Sequence, residues 1–533
     1  MKDSAPSTRL PLQTYSAAPT GSVLLLAFLL RLWRASGTFL NLDEAMHFLA
    51  ANKLSLVEAY RSSLNLAHPP LLILFLNVWK KLGTSELALR LPSVIAGTIF
   101  CWIFLKWLTR LLGPVTGWAG FVLVGFLPPF VELSSEIRQY PFLLCFLMAS
   151  AYVLELALAE NSVGKMSAFF VSLYLGMLTH FSAILFAGAV GIYSLWRLFS
   201  GGASRSVVTL WIMGQAGALG LLAFLYRTHI AALRGSADAQ HMQAMLSNSY
   251  FHPGHGHVTP FAFARSFGVF QYTFGQLAVG DIAGVLFVAT IALLLSGDRF
   301  PSGEMQMQDV KIPSPRELGL YLVLPFVINC VAAIAGLYPY GGTRHSAFLV
   351  PFALAGVSGA MVKTSRQKLP YTVGSAILTI AICQLFGTPH RPYMHREDQR
   401  RVNMTQAIAA IRQEVSPADT IFVDFQTNFL LRFYLCPEAG YGVFTAPFKD
   451  YSCSGYRVIS TSPETTILTA DIFARRWNDM VSAYNLKPGR TVWIFQAGWD
   501  ISLARDLQEK IPNFHDLKSE SFGRNISLFK LTV

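Results

Sequence analysis

The sequence predicts an α-helical polytopic membrane protein with a small α/β domain at its C-terminal end. Its 533 residues are 53% hydrophobic and 14% charged, and the mean hydropathy of +0.43 lies well above that of a soluble globular chain. Apolar runs long enough to cross a bilayer recur between residues 21 and 386. Beyond Thr388 short β-rich runs alternate with helix-like ones, the texture of an α/β domain outside the membrane. A net charge of +12 points to nucleic acid in a soluble protein. In a membrane protein Lys and Arg gather at span ends and beside lipid phosphates, so membrane lipids are the expected partners and nucleic acid is not.

Residues 1–20 are polar, carry Lys2 and Arg9 and lack a cleavage site behind a short apolar core, so they read as a cytoplasmic tail. The transmembrane domain then occupies 21–388. Candidate spans are Gly21–Leu40, Leu89–Leu111, Val115–Phe130, Pro141–Leu158, Met166–Thr179, Phe181–Leu198, Val207–Tyr226, Gly275–Leu295, Leu318–Leu337, Ala347–Val362 and Tyr371–Phe386. These make about eleven spans, and an odd number puts the termini on opposite sides. With the N-terminus inside, every inner turn carries a basic residue, from Lys106 and Arg110 through Lys165, Arg197 and Arg316 to Lys363 and Lys368. The outer loops are basic too, so short-turn consistency sets the orientation. This places the domain at 389–533 outside, in the periplasm if the membrane is a bacterial cytoplasmic membrane.

The first outer loop, 41–88, reads as a folded platform. Asp43–Arg61 interleaves Ala45, Phe48, Leu49 and Leu56 with Asn52, Lys53 and Glu58, an amphipathic helix. Pro69–Leu82 is apolar but too short to span, and reads as a helix in the outer interface. In the last domain, strands are expected at Thr420–Asp424, Tyr456–Ser460, Thr491–Phe495 and Ile526–Val533, with helices at Val402–Val415 and Ser502–Ile511. Cys436 and Cys453 are either a disulfide of an oxidising compartment or two buried thiols, while Cys101, Cys145, Cys330 and Cys383 read as packing residues within spans. The chain has no C-x-x-C zinc spacing, no G-x-x-x-x-G-K loop and no G-x-S-x-G elbow, which argues against nucleotide-driven and serine-nucleophile chemistry.

Several polar constellations map to the outer face. Carboxylates cost several kcal/mol to bury in hydrocarbon, so Asp43-Glu44 at the end of the first span faces water or a substrate; the alternative is a helix cap, which does not call for both acids. Glu136-Ile-Arg138-Gln-Tyr140 opens the fourth span and reads as site residues or as an interfacial anchor. The Gly-rich turn running from Tyr338 to Arg344 and His345 suits a phosphate, or is an ordinary turn with a snorkelling Arg. His252, His255 and His257 fall in a long outer loop that can hold a metal or close over a substrate, and with no Cys or acidic cluster nearby the loop reading is preferred. Together these describe a cavity with carboxylates for base work and cations for an anionic group.

The order Asp43-Glu44, His68-Pro-Pro-Leu71, Glu86-Leu-Ala-Leu-Arg90-Leu-Pro92, Glu136-Ile-Arg138-Gln-Tyr140 and Thr179-His180-Phe181 resembles the membrane glycosyltransferases of the C-type fold. The nearest branch is that of the dolichyl-phosphate-mannose protein mannosyltransferases and the bacterial aminoarabinose transferases, and the likeness covers residues 20–390. It implies an inverting transfer of a sugar from a polyprenyl-phosphate donor to an acceptor hydroxyl on a glycan, lipid or protein, at the extracytoplasmic face. By that resemblance Asp43 is the general base and Glu44 shares or supports its role. Arg138, Arg344 and His345 hold the donor phosphate, and His68, Glu136 and Tyr140 line the cavity. No cofactor is implied; a divalent metal serves some relatives of the wider superfamily but is not expected here. The chain lacks the β-trefoil insertion of eukaryotic protein mannosyltransferases, which weakens a protein acceptor, and its last domain need not match that of the aminoarabinose transferases. The rival reading is a transporter or flippase for lipid-linked sugars, which usually shows paired halves not visible here.

Overall fold

A computed structural model describes residues 17–233, 244–254, 256–298, 312–387, 399–437, 447–462 and 467–499, residues 465, 501, 503 and 506, and residues 518–533. Among them, 9 helices are long and apolar enough to cross a membrane, and Pro114–Phe126 and Val163–Thr179 are shorter apolar helices. Every one of the apolar runs predicted to span is therefore helical.

The first described helix is α1 (Ala17–Ser36), and after it comes the platform expected in the first loop, where the single helix expected over Asp43–Arg61 is two. Helix α2 covers Leu42–Ala51 and α3 covers Leu56–Ser63. The break comes at Ser55, whose side chain takes the Glu58 N–H at 3.2 Å and starts a new helix. Helix α4 (Leu71–Trp79) and a 3-10 turn over Lys80–Leu82 account for the short apolar segment. Helix α5 (Glu86–Leu112) follows, capped by Ser85, and stops at Gly113, whose φ of +89° favours glycine. The run expected over Val115–Phe130 is likewise divided. Leu127 precedes Pro128, is pushed to an extended conformation (φ −60°, ψ 130°), and separates α6 (Pro114–Phe126) from α7 (Pro128–Leu133).

Helices α8 (Tyr140–Glu160), α9 (Val163–Thr179), α10 (Ser182–Gly201) and α11 (Arg205–Leu225) continue the bundle. A further helix, Val258–Phe274, was not expected: Arg265, Ser266 and Gln271 interrupt its apolar run, yet it packs antiparallel on Leu277–Ser296 across a turn at Gly275. The bundle closes with Pro315–Ile334, Val350–Thr364 and Leu369–Phe386 around a core that includes Phe104, Trp107, Tyr321 and Phe352.

The last domain is a six-stranded mixed sheet in the order β2-β3-β1-β4-β6-β5. Its centre is parallel: β1 (Thr420–Val423) lies between β3 (Tyr456–Thr461) and β4 (Thr491–Ala497), with Ile421 opposite both Val458 and Trp493. Antiparallel partners flank it, β2 (Phe448–Cys453) on β3 and β6 (Ile526–Thr532) on β4, with β5 (Lys518–Ser521) at the far edge. Helices Arg401–Glu414, Phe425–Leu435 and Ala470–Ala483 pack on it. The helix expected at Ser502–Ile511 lies outside the described residues, apart from 503 and 506. Cys436 and Cys453 form a disulfide with a Cα–Cα distance of 5.3 Å.

This domain does not stand apart from the platform. Phe39, Leu40 and Phe48 share one buried core with Leu76, Phe429, Leu430 and Ile421, and the Phe48 and Phe433 rings meet edge to face at 5.1 Å. Polar links reinforce the contact: Tyr434 Oη accepts from Leu40 N at 2.9 Å and donates to Glu86 Oε1 at 2.5 Å, while the Gln399 amide donates to Phe39 O at 2.9 Å. Helix α2 is thus held between the bundle and the C-terminal domain.

Candidate active site

The start of α2 separates the two acids of the pair. Asn41 is the N-cap and accepts from Glu44 N at 3.1 Å, and Glu44 Oε2 accepts from Asn41 N at 2.9 Å, a reciprocal capping box. Glu44 is wholly buried. Both its oxygens receive Arg90, Nε to Oε1 and Nη2 to Oε2, each at 2.7 Å, and Oε1 also accepts Ile137 N at 2.9 Å. This carboxylate is spent on structure: it joins α2, α5 and the loop that carries Arg138. The sequence reading gave Glu44 a share in catalysis; in the structure its oxygens are taken by Asn41 N, the Arg90 guanidinium and Ile137 N.

Asp43 caps nothing. Its Oδ2 accepts from Arg138 and, at 3.2 Å, from Nη2 of Arg344. The Asp43 side chain keeps 14% of its exposure and that of Arg344 keeps 20%, so the cluster borders accessible space. Arg138 comes from the loop between α7 and α8, and its Nε lies 3.5 Å from Glu136 Oε2. Arg344 opens the 3-10 turn Arg344–Leu349. The bend leading into that turn needs glycine, because a Cβ on Gly342 would sit 2.7 Å from the Gly268 carbonyl oxygen. Burial pushes the Asp43 carboxyl up, but the guanidinium groups of Arg138 and Arg344 outweigh it and hold the group well below the usual carboxylate range. For Glu136 burial prevails, with Glu44 adding to it, and its carboxyl is raised.

Imidazoles and a phenol complete the surroundings. His47, one turn after Asp43, has Nδ1 2.9 Å from Ile137 O, and its ring meets His68 edge-on at 4.8 Å. His68 Nδ1 faces Pro69 O at 2.9 Å, so Nδ1 carries the proton and Nε2 keeps its lone pair. That Nε2, like Nδ1 of His345, is buried without a hydrogen-bond partner among the described residues. Burial lowers both His47 and His68, the latter to about 4, so they are neutral. Tyr140 packs on His180 at 5.1 Å, and His180 lies 6.3 Å from His345. Glu136 also borders a small polar cavity lined by Arg34, Thr38, Arg90, Glu132, Ser135 and Gln399.

Of the residues singled out in the sequence, Asp43, Arg138, Arg344 and Glu136 meet in one ionic cluster, and His68, Tyr140 and His345 lie in the aromatic and imidazole groups around it. In the loop that carries the histidine triplet, His252 Nε2 lies 3.0 Å from Ser247 O, and His255 lies outside the described residues. Among those residues no three His, Cys, Asp or Glu side chains form a metal-ligand group. Sequence reasoning passed over His47, although its i+4 spacing from Asp43 puts both on one helix face, and gave Arg90 no role.

Residues 67–227 match the profile of a family described as dolichyl-phosphate-mannose-protein mannosyltransferase. Among solved structures the chain is similar to ArnT from Cupriavidus metallidurans bound to undecaprenyl phosphate, with 11% identity, 96% of this chain and 98% of that one covered and a TM-score of 0.54. The apo form of that protein also matches at 11% identity and a TM-score of 0.50, with 96% and 98% covered. The likeness shows the fold, that of the C-type membrane glycosyltransferases. No curated protein sequence matches the chain.

Proposed function

We propose that this chain is an inverting glycosyltransferase that moves a sugar from a polyprenyl-phosphate donor to an acceptor hydroxyl at the extracytoplasmic face of the membrane. The observation that carries the reading is one accessible carboxylate, Asp43, set against two guanidinium groups from distant parts of the chain. A single base and a double cation are what this displacement needs. Asp43 takes the proton of the acceptor hydroxyl as that oxygen attacks the anomeric carbon from the face opposite the phosphate. The bond from that carbon to the phosphate oxygen breaks, and its electron pair leaves with the phosphate. Arg138 and Arg344 stabilise the charge that develops there, and charge held in place before the reaction lowers the barrier more than any other effect in many enzymes. Glu136 orients Arg138, and neutral His47 and His68 offer polar contacts without adding charge.

The match of residues 67–227 to a mannosyltransferase profile and the fold shared with a protein crystallised with undecaprenyl phosphate support the donor class. Sugar transfer from synthetic polyprenyl-phosphate sugars to a mixed acceptor pool, with purified protein in nanodiscs, tests the reading. Wild type transfers, and Asp43→Asn loses about 10²-fold or more in rate while still binding donor. If neither protein transfers sugar and both bind the lipid equally, a carrier for lipid-linked sugars replaces the enzyme.

A further inference from the structure

Resting on that reading, the geometry points to a base that is masked until the donor arrives: Asp43 holds the two cations of the donor-phosphate site, and the incoming lipid phosphate takes Arg138 and Arg344 from it. Both guanidinium groups converge on the same oxygen, Oδ2 of Asp43. The carboxylate thus engages both cations that would hold a phosphate. The two anions compete for one pair of guanidinium groups.

The competition favours the phosphate because its oxygens take two guanidinium groups in a fork geometry that a single carboxylate oxygen cannot match. The trio is also reachable, since Asp43 and Arg344 both keep part of their exposure. Exchange reorganises little else. Arg138 retains Glu136 at 3.5 Å, and α2 is fixed by the Glu44–Arg90 pair, so Asp43 stays in place while its partners turn to the phosphate. A carboxylate bound to two Arg side chains is a weak base, and Asp43 in this state is held far below the range useful for proton abstraction. Once the cations leave it, its basicity recovers beside the donor's anomeric carbon. Base strength is then available only when a donor is in the site, which suppresses proton abstraction in its absence and makes the donor the first substrate to bind.

The test is binding of farnesyl phosphate, with farnesol as the phosphate-free control, to wild type and to Asp43→Asn, Asp43→Ala, Arg138→Gln and Arg344→Gln in detergent, each checked for an intact thermal transition. Removing the internal competitor tightens farnesyl phosphate binding by about tenfold or more in both Asp43 variants, a modest share of what close charge pairs contribute, and leaves farnesol unchanged. Both Arg variants bind farnesyl phosphate more weakly. If the Arg variants lose affinity but the Asp43 variants bind as wild type or worse, masking is wrong and the phosphate site of the proposed enzyme stands. Should the Arg variants bind farnesyl phosphate like wild type, the cations do not hold phosphate, and the functional reading falls together with the masking.

Discussion

Replacing Arg90 by Ala isolates the network that holds the site. The guanidinium donates to both oxygens of Glu44 at 2.7 Å, to the carbonyls of Ala35, Thr38 and Phe39 at 2.8, 2.7 and 2.9 Å, and to Thr38 Oγ1 at 3.0 Å. The side chains of Arg90 and Glu44 are 1% and 0% exposed, so the pair is shielded from bulk water. Arg90→Ala leaves a buried carboxylate without a counter-ion, which costs ~3–5 kcal/mol, and three carbonyls lose a donor besides. Removing both charges together, in Arg90→Met with Glu44→Leu, relieves the uncompensated ion and recovers much of that loss. Unfolding of the single and double variants in mixed micelles, followed by tryptophan fluorescence, measures the coupling between the two sites. A single-variant cost below ~1 kcal/mol, or a double variant whose loss is the sum of the singles, refutes the account of this pair as a buried, mutually dependent clamp. The double variant should still be inactive, because the Glu44 bond to Ile137 N, next to Arg138, is gone.

His68, pushed down to about 4 from an ordinary 6.5 by burial, contributes stability that is complete above pH 6.5 and is lost as the pH falls through 4, in all ~3 kcal/mol. Limited proteolysis of the outer platform should therefore accelerate over that window, and His68→Gln should flatten the dependence. An unchanged slope in the variant assigns the effect elsewhere. Tyr434→Phe strands the buried N–H of Leu40 and one Glu86 oxygen, costing ~1–3 kcal/mol of domain docking, read as faster hydrogen exchange in α2. Cys453→Ser opens a link with a sequence separation of 17; by loop entropy it should lower the stability of the last domain by ~3 kcal/mol, and added reductant should do the same to wild type but not to the variant.

What was legible in the sequence follows from what the solvent forces. Backbone groups in hydrocarbon must pair within a helix, so each long apolar run appears as one. The central strands β1 and β4 were legible for a related reason: covered on both faces, each is built on a continuous apolar run, Ile421–Val423 and Val492–Phe495. The edge strands β2 and β5 were not, because an edge tolerates Lys, Asp and Ser and its β character comes from a neighbour. Asp43-Glu44 stood out because two acids beside a span need a reason. Which of them is tied into the fold was illegible, since the answer lies in Arg90, 46 residues from Glu44, and in Ile137, 93 residues away. Local spacing carries no trace of contacts at that range; only the Asn41-Leu-Asp-Glu44 capping box, a local pattern, ties Glu44 to the helix start.

The packing also changes the meaning of the C-terminal domain. A domain appended by a linker ordinarily has its own closed core, and its removal leaves the remainder folded. Here Phe39, Leu40, Leu42, Phe48 and Leu49 of the platform complete a core whose other half is Ile421, Phe429, Leu430 and Leu431. Without the domain, that face of the platform meets water, and the loss falls on the helix that carries Asp43. The carboxylate is positioned from below by Glu44 and Arg90 and from above by Phe433 and Tyr434, so the geometry at Oδ2 depends on both halves of the chain. Changes in the C-terminal domain can therefore shift Asp43 without any of its residues touching that carboxylate.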